Sequence, residues 1–233
     1  MSQNEKLRRI FLCRHGKTEA NEQGLFCGGK NDSPLNEEGK KQAMLLGIFL
    51  RNHYAFKGKF IITSGRQRAI ETGQFIAKNL EPKPLEITMD DLRELDLGDW
   101  CGKKQEEIAR TFPKEYNQWQ KNVLKPTFRF PGGESMEEAG KRMIADFKLI
   151  KKGWLSDTSE NNDDIIVIAH HGTNITIIAS ILNSKMKTYA YRAIRQDNSC
   201  VNIIGFYENP GWRPPTQILL VNGTYHLFLM NLL

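Results

Sequence analysis

Short apolar runs alternate with amphipathic stretches along most of this chain. The run Ile10-Phe11-Leu12-Cys13 reads as a buried β-strand and breaks directly into Arg14-His15-Gly16. A loop with turn chemistry, QGLFCGGKNDSPL, follows. Asn36 then has the form of an N-cap, with Glu37 and Glu38 in the first turn, where the helix dipole favours anions. Ala43, Leu46, Gly47 and Leu50 recur at helical spacing, so the pattern predicts a helix to about Arg51. KFIITS reads as a second strand, and GRQRAIETGQFIAKNL as a second helix stopped by Pro82 and Pro84.

From about Leu85 to Pro131 the pattern is mixed, with a short strand and one or two helices around KKQEEIARTF and KEYNQW. The next stretch, GGESMEEAGKRMIADFKLIKKGW, sets Met136, Ala139, Met143, Ile144, Phe147 and Ile150 on one helical stripe. Ile165 to Ala169 is apolar without alternation, the mark of a strand covered on both faces, as in parallel sheets. CVNIIGFYE and TQILLVNG read as closing strands. Strands alternating with helices predict an α/β fold, a three-layer α/β/α sandwich on a mostly parallel sheet. No repeat, low-complexity segment or linker divides the 233 residues, which are read as one domain.

Composition narrows the class. Hydrophobic content of 39% and charged content of 26% are ordinary for a globular protein. No apolar run reaches the length of a membrane span, the polar start MSQNEKLRRI lacks the apolar core of a secretory signal, and FLMNLL is too short for an anchor. A cytoplasmic protein with no membrane partner is expected. Cys13, Cys27, Cys101 and Cys200 lack C-x-x-C spacing, so reduced thiols are expected rather than a zinc site or a disulfide framework. The formal charge of +6 is spread along the chain without a dense basic block, which speaks against nucleic acid and suits a small anionic substrate.

Two of the buried strands end in histidine, at Arg14-His15 and at His170-His171. In open α/β sheets, ligands bind beyond the carboxyl ends of the strands. Arg68 opens the second helix and Glu94 sits in LRELDLGDWCG. Two guanidiniums offer rigid donor forks suited to phosphate oxygens. Positive charge beside His15 favours its neutral, nucleophilic form. In-line attack on a clamped phosphoryl group would give a phosphohistidine, with Glu94 protonating the leaving oxygen and then activating water. A bound phosphate dianion favours the protonated carboxyl that this role needs. Plainer readings cover other residues: His53 caps carbonyls or faces water, Lys148, Lys151 and Lys152 form a solvated face, Met136 and Met143 are core, and Trp100 packs beneath the acid loop.

The ordered motifs RHG, SGRQRAIET, LRELDLGDWCG, PGGES and IVIAHHG, over about residues 8 to 227, resemble the signatures of the histidine phosphatase superfamily, the phosphoglycerate mutase-like fold. The tail LLVNGTYHL is similar to the ND-T-x-H-L ending of its phosphatase branch. The resemblance implies His15 as the phosphorylated nucleophile, Glu94 as proton donor, and Arg14, Arg68 and His170 as the rest of the phosphate pocket. It places Thr18, Asn21, Cys27 and Gly28 on the substrate side, and implies neither metal nor other cofactor. Lys17, Arg66 and HHG depart from the family pattern; Arg68 is taken as the second arginine because it directly precedes Ala69. His171, beside His170 on an extended segment, is expected to point its ring the other way and to serve the substrate through its backbone N–H.

The short segment between GDWCG and PGGES is similar to the fructose-2,6-bisphosphatase and broad-specificity phosphatase branch, which implies a phosphomonoester hydrolase of small phosphorylated metabolites, such as sugar phosphates or phosphoglycerate-like compounds. A phosphoglycerate mutase using the same pocket is the alternative. An inactive relative that binds phosphorylated ligands or a partner protein stands behind both.

Overall fold

In a computed structural model that describes residues 6–30, 32–121, 127–159, 164–182, 193–208, 212 and 214–231, the first apolar run is the strand β1 (Leu7–Arg14). There follow α1 (Glu19–Glu22), α2 (Glu37–Tyr54), β2 (Phe60–Thr63), α3 (Gln67–Ala77), β3 (Leu85–Thr88), α4 (Gln105–Thr111), α5 (Pro113–Gln120), α6 (Met136–Ser156), β4 (Asp164–Ala169), α7 (His171–Ile181), β5 (Val201–Tyr207) and β6 (Thr216–Gly223). Short 3-10 segments occur at Asp90–Leu92, Gly98–Trp100 and Tyr225–Asn231.

Local chemistry accounts for the element ends. Asn36 caps α2 by accepting the Gly39 N–H at 2.9 Å. The helix runs three residues past the expected Arg51 and stops at Ala55, which takes the left-handed conformation at φ 47°. Helix α3 ends at Ala77, before the prolines expected to stop it, because Asn79 and Leu80 turn their N–H groups back onto Ile76 and Ala77 in a tighter final turn. Ser135 and Glu138 form a capping box that starts α6.

The strand order in the sheet is β3-β2-β4-β1-β5-β6. The pairs β3/β2, β2/β4 and β4/β1 are parallel, while β5 runs antiparallel to β1, and β6 to β5. Strand β4 is buried along its whole length, as its unbroken apolar run requires. Alternation along β1 divides the core. Ile10 and Leu12 pack with Phe147, Ile150 and Ile177 of α6 and α7, and Phe11 and Cys13 with Leu46, Leu50 and Ile76 of α2 and α3. A third cluster lies under α4 and α5, where Trp100, fully buried, meets Phe26, Tyr116, Trp119, Phe128 and Phe130 edge-on or tilted.

Register is what builds the site. Arg14 lies opposite Ala169 and Thr63 opposite Ile168, so β1, β4 and β2 end level with one another. The next residue on each strand is His15, His170 or Ser64. No described helix is long and apolar enough to cross a membrane.

Candidate active site

The last ladder bonds carry this convergence past the strand ends. The His15 N–H donates to Ala169 O at 3.1 Å, and the Ser64 N–H to Ile168 O at 3.2 Å. Gly16 follows because the chain there passes close to α2: a Cβ on Gly16 would come within 2.6 Å of Gly39 O. Its N–H donates to Thr72 Oγ1 at 3.0 Å, and Thr72, one turn beyond Arg68, donates to Arg68 O at 2.6 Å. One hydroxyl thus ties the histidine loop to the helix that carries the arginine.

The hydrogen bonds of His15 determine its tautomer. Nδ1 lies 2.7 Å from Gly16 O, and a carbonyl can only accept, so Nδ1 carries the proton. Nε2 accepts from Nε of Arg68 at 3.2 Å. Burial above all, then the charges of Arg68 and Arg14, hold the imidazole well below its ordinary pKa. His15 is therefore neutral, with its lone pair on Nε2. The His170 ring stands 5.1 Å away, centroid to centroid, similarly depressed by burial and by Arg68. Its Nε2 lies 2.7 Å from Ser64 Oγ, while the buried Nδ1 has no hydrogen-bond partner among the described residues.

Arg14 extends the same cluster. Nη1 donates to Gln196 O at 2.7 Å, and the buried Nε has no hydrogen-bond partner among the described residues. No carboxylate among the described residues bonds to this guanidinium, although Glu94 and Asp197 act on it through space. Burial lowers the pKa of both Arg14 and Arg68, yet guanidinium stays charged in proteins. Arg66 turns away to pair with Asp90, so of the two candidates Arg68 is the one that reaches His15. Lys17 likewise turns away, to Glu38 at 2.7 Å.

Glu94 is 8% exposed and faces this cluster from the loop after β3. Its Oε1 accepts from Leu95 N at 3.0 Å and its Oε2 from Gly172 N at 2.9 Å, at the start of α7. Its charge acts on Arg14, Arg68 and His171.

The residues expected on the substrate side are placed with more variety. Thr18 and Asn21 form the capping box of α1, and Asn21 Oδ1 also accepts from Asn198 Nδ2 at 3.0 Å. Cys27 is half-buried; burial raises its thiol pKa, with Arg68 and Arg14 pulling the other way. Gly28 packs backbone to backbone on the acid loop, where a Cβ would stand 2.8 Å from both Leu95 O and Leu97 N. His171 differs from expectation. It opens α7 rather than continuing an extended segment, the N–H that reaches Glu94 belongs to Gly172, and the His171 ring bonds to the backbone of Gln196. Because α7 begins at His171, the N–H of Gly172 has no intrahelical partner and is free to meet Glu94.

Several residues at the site carry no sequence signal of their own. Ser64 and Thr72 are the first and last residues of SGRQRAIET, but that motif alone assigns neither hydroxyl a contact. Asn198, far along the chain, reaches the carbonyls of His15 and Gly16. Arg142 and Glu134 brace the acid loop; Glu134 stands within PGGES, but that motif alone assigns it no contact. Among the described residues no group of three or more His, Cys, Asp or Glu side chains could hold a metal ion.

Comparison with known proteins fits this geometry. The chain is 28% identical over 222 residues to phosphoserine phosphatase 1 of Hydrogenobacter thermophilus, covering 94% of each protein. It is 28% identical over 211 residues to a probable phosphoglycerate mutase, GpmB, of Cronobacter sakazakii, covering 88% of this chain and 89% of that one. Its fold matches Bacillus stearothermophilus YhfR with a TM-score of 0.77 at 22% identity, over 94% of this chain and 98% of that one. The sequence model of the histidine phosphatase superfamily (branch 1) matches residues 10–213, and the chain is an enzyme of that superfamily.

Proposed function

We propose that the protein is a phosphomonoester hydrolase of small phosphorylated metabolites that works through a phosphohistidine at Nε2 of His15. The observation that carries this reading is the neutral His15, its lone pair on Nε2, set beside the buried guanidinium of Arg68 and the half-buried one of Arg14, to which no carboxylate among the described residues bonds. A largely desolvated charge with no directly bonded counter-charge is costly, and the anionic oxygens of a phosphoryl group would compensate it while presenting phosphorus to Nε2.

In the first step the Nε2–P bond forms and the ester P–O bond breaks. The Glu94 carboxyl gives its proton to the departing oxygen. Gly16 O, already bonded to Nδ1–H, stabilises the positive charge that the phosphorylated ring acquires. In the second step Glu94 takes a proton from water, the N–P bond breaks, and inorganic phosphate leaves from the pocket of Arg14, Arg68 and His170. The sum is ester plus water to alcohol plus phosphate.

A mutase would use the same first step and return the phosphoryl group to a substrate hydroxyl. The short segment between Trp100 and Pro131 favours hydrolysis: its described elements are only the short helices α4 and α5. The segment between GDWCG and PGGES, on which the branch resemblance rests, includes 122–126, which lie outside the described residues. Quenching turnover in alkali and weighing the intact protein tests the mechanism. A phosphoryl mass increment that maps to His15 and is absent from His15→Ala supports it, and turnover with no such increment under any substrate load refutes it. Release of inorganic phosphate from a panel of sugar phosphates and phosphoglycerates separates hydrolase from mutase.

A further inference from the structure

The loop that carries Glu94 has no ladder to hold it. It runs from the end of β3 to α4 through two single-turn 3-10 segments, so its backbone groups need partners from elsewhere. One side chain serves three of its carbonyls. Arg142, in the second turn of α6, directs its Nη1 to Asp91 O at 2.7 Å and Arg93 O at 2.8 Å, and its Nη2 to Glu94 O at 3.0 Å. The remaining donors grip Glu134: Nε reaches Oε2 at 3.1 Å and Nη2 bonds Oε1. All five N–H donors of the guanidinium are thereby used.

Glu134 continues the clamp. Its Oε1 accepts from Asp96 N at 2.7 Å, and its own N–H donates to Asp96 O at 3.1 Å. The pair therefore grips the backbone at residues 91, 93, 94 and 96, on both sides of the carboxylate that faces the pocket. Both side chains are largely buried, at 11% and 14% exposure, so the ion pair is little screened by solvent. Thr173 adds a lesser hold from α7, donating to Leu92 O at 3.0 Å. None of the contacts of Arg142 reaches His15, Arg14, Arg68 or His170, which are held by the strand ends instead.

We propose that Arg142, paired with Glu134, is a positioning residue that holds the Glu94 loop where the carboxyl can protonate the leaving oxygen. The inference rests on the reading of Glu94 as the acid. A general acid must come within about 2.6–3.2 Å of the atom it protonates. Misplacement by about 1 Å costs on the order of 10²-fold. Lysine cannot replace the clamp fully, because it has three donors on a point charge where the loop meets a planar fork of five.

The test compares an alkyl phosphate with p-nitrophenyl phosphate, whose leaving group departs without a proton, in Arg142→Ala, Arg142→Lys, Glu134→Gln and Glu94→Gln. We expect Arg142→Ala to lower kcat for the alkyl ester by about tenfold to a hundredfold. The nitrophenyl ester should lose much less, and inhibition by inorganic phosphate should be unchanged, because the phosphate pocket is untouched. Arg142→Lys and Glu134→Gln should show the same selectivity with smaller losses. They carry the test if Arg142→Ala fails to fold, which thermal unfolding reports. Equal losses on both esters, or weaker phosphate inhibition, in the folded clamp variants overturn the proposal while Glu94→Gln remains selective. Equal losses in Glu94→Gln itself overturn the acid assignment, and the clamp's role falls with it.

Discussion

Nε of Arg68 donates to Nε2 of His15 at 3.2 Å, so the guanidinium points at the one imidazole atom that bears a lone pair. The contact joins the first turn of α3 to the end of β1, 53 residues apart in sequence. On the proposed reading it places the phosphate-binding donor and the nucleophile on the same small volume, which is what an in-line displacement at phosphorus needs.

His15→Ala is expected to lower turnover by on the order of 10³-fold or more, since no neighbouring group can form the covalent intermediate. The fold should persist, because His15 contributes to the sheet through its backbone N–H, which alanine retains. Circular dichroism with a phosphate-release assay measures both; near wild-type activity in a folded variant contradicts the phosphohistidine reading.

Glu94→Gln keeps size and polarity, though its single oxygen can accept from only one of the Leu95 and Gly172 N–H groups, and it carries no acid proton to donate. Alkyl phosphates should lose about 10²- to 10⁴-fold in kcat. p-Nitrophenyl phosphate should recover most of that loss. Arg68→Ala should behave differently, weakening phosphate inhibition as well as turnover, because it removes a charged contact present in both ground and transition states. Equal losses on both esters in Glu94→Gln would turn attention to other carboxylates such as Glu19, Asp96 or Asp99.

Chelation is expected to leave activity unchanged, because the charge stabilisation is assigned to Arg14, Arg68 and the two histidines at the strand ends. The measurement is phosphate release before and after EDTA treatment. Loss of activity that one divalent ion restores would require a different mechanism.

Acid should destabilise the protein through its buried imidazoles. Burial lowers the pKa of His15, His170 and His171, and brings that of His226 down to about 4. In the unfolded chain these groups protonate near about 6.5, so below that pH the unfolded state binds more protons and stability falls. For His226 the loss accumulates between about 6.5 and about 4, at up to about 1.4 kcal/mol per pH unit. The urea midpoint should therefore drop from pH 7 to pH 5, and His226→Phe should flatten that dependence. An identical pH dependence in the variant would show that His226 is not among the groups responsible.

Much of the architecture is written in local patterns. The unbroken apolar run at Ile165 to Ala169 required a strand covered on both faces, the Asn36 cap marked the start of α2, and the stripe from Met136 to Ile150 marked α6. These features depend on residue spacing alone, and spacing is visible in one dimension. The pairing of Arg14 with His15, and of two strand ends with histidine, pointed to the cluster for the same reason.

The tertiary structure decided what spacing cannot. Whether Arg66 or Arg68 meets His15 depends on the direction in which α3 leaves β2, which sends Arg66 to Asp90 and Arg68 into the pocket. That Gly172, and not His171, donates to Glu94 depends on α7 beginning at His171. Arg142 lies 48 residues from the Glu94 carbonyl it holds. Its neighbours in sequence form an ordinary amphipathic helix, so its five donors find their partners only when packing lays α6 beside the carbonyls of Asp91, Arg93 and Glu94. Contacts of that kind come from long-range packing, and no local periodicity encodes them.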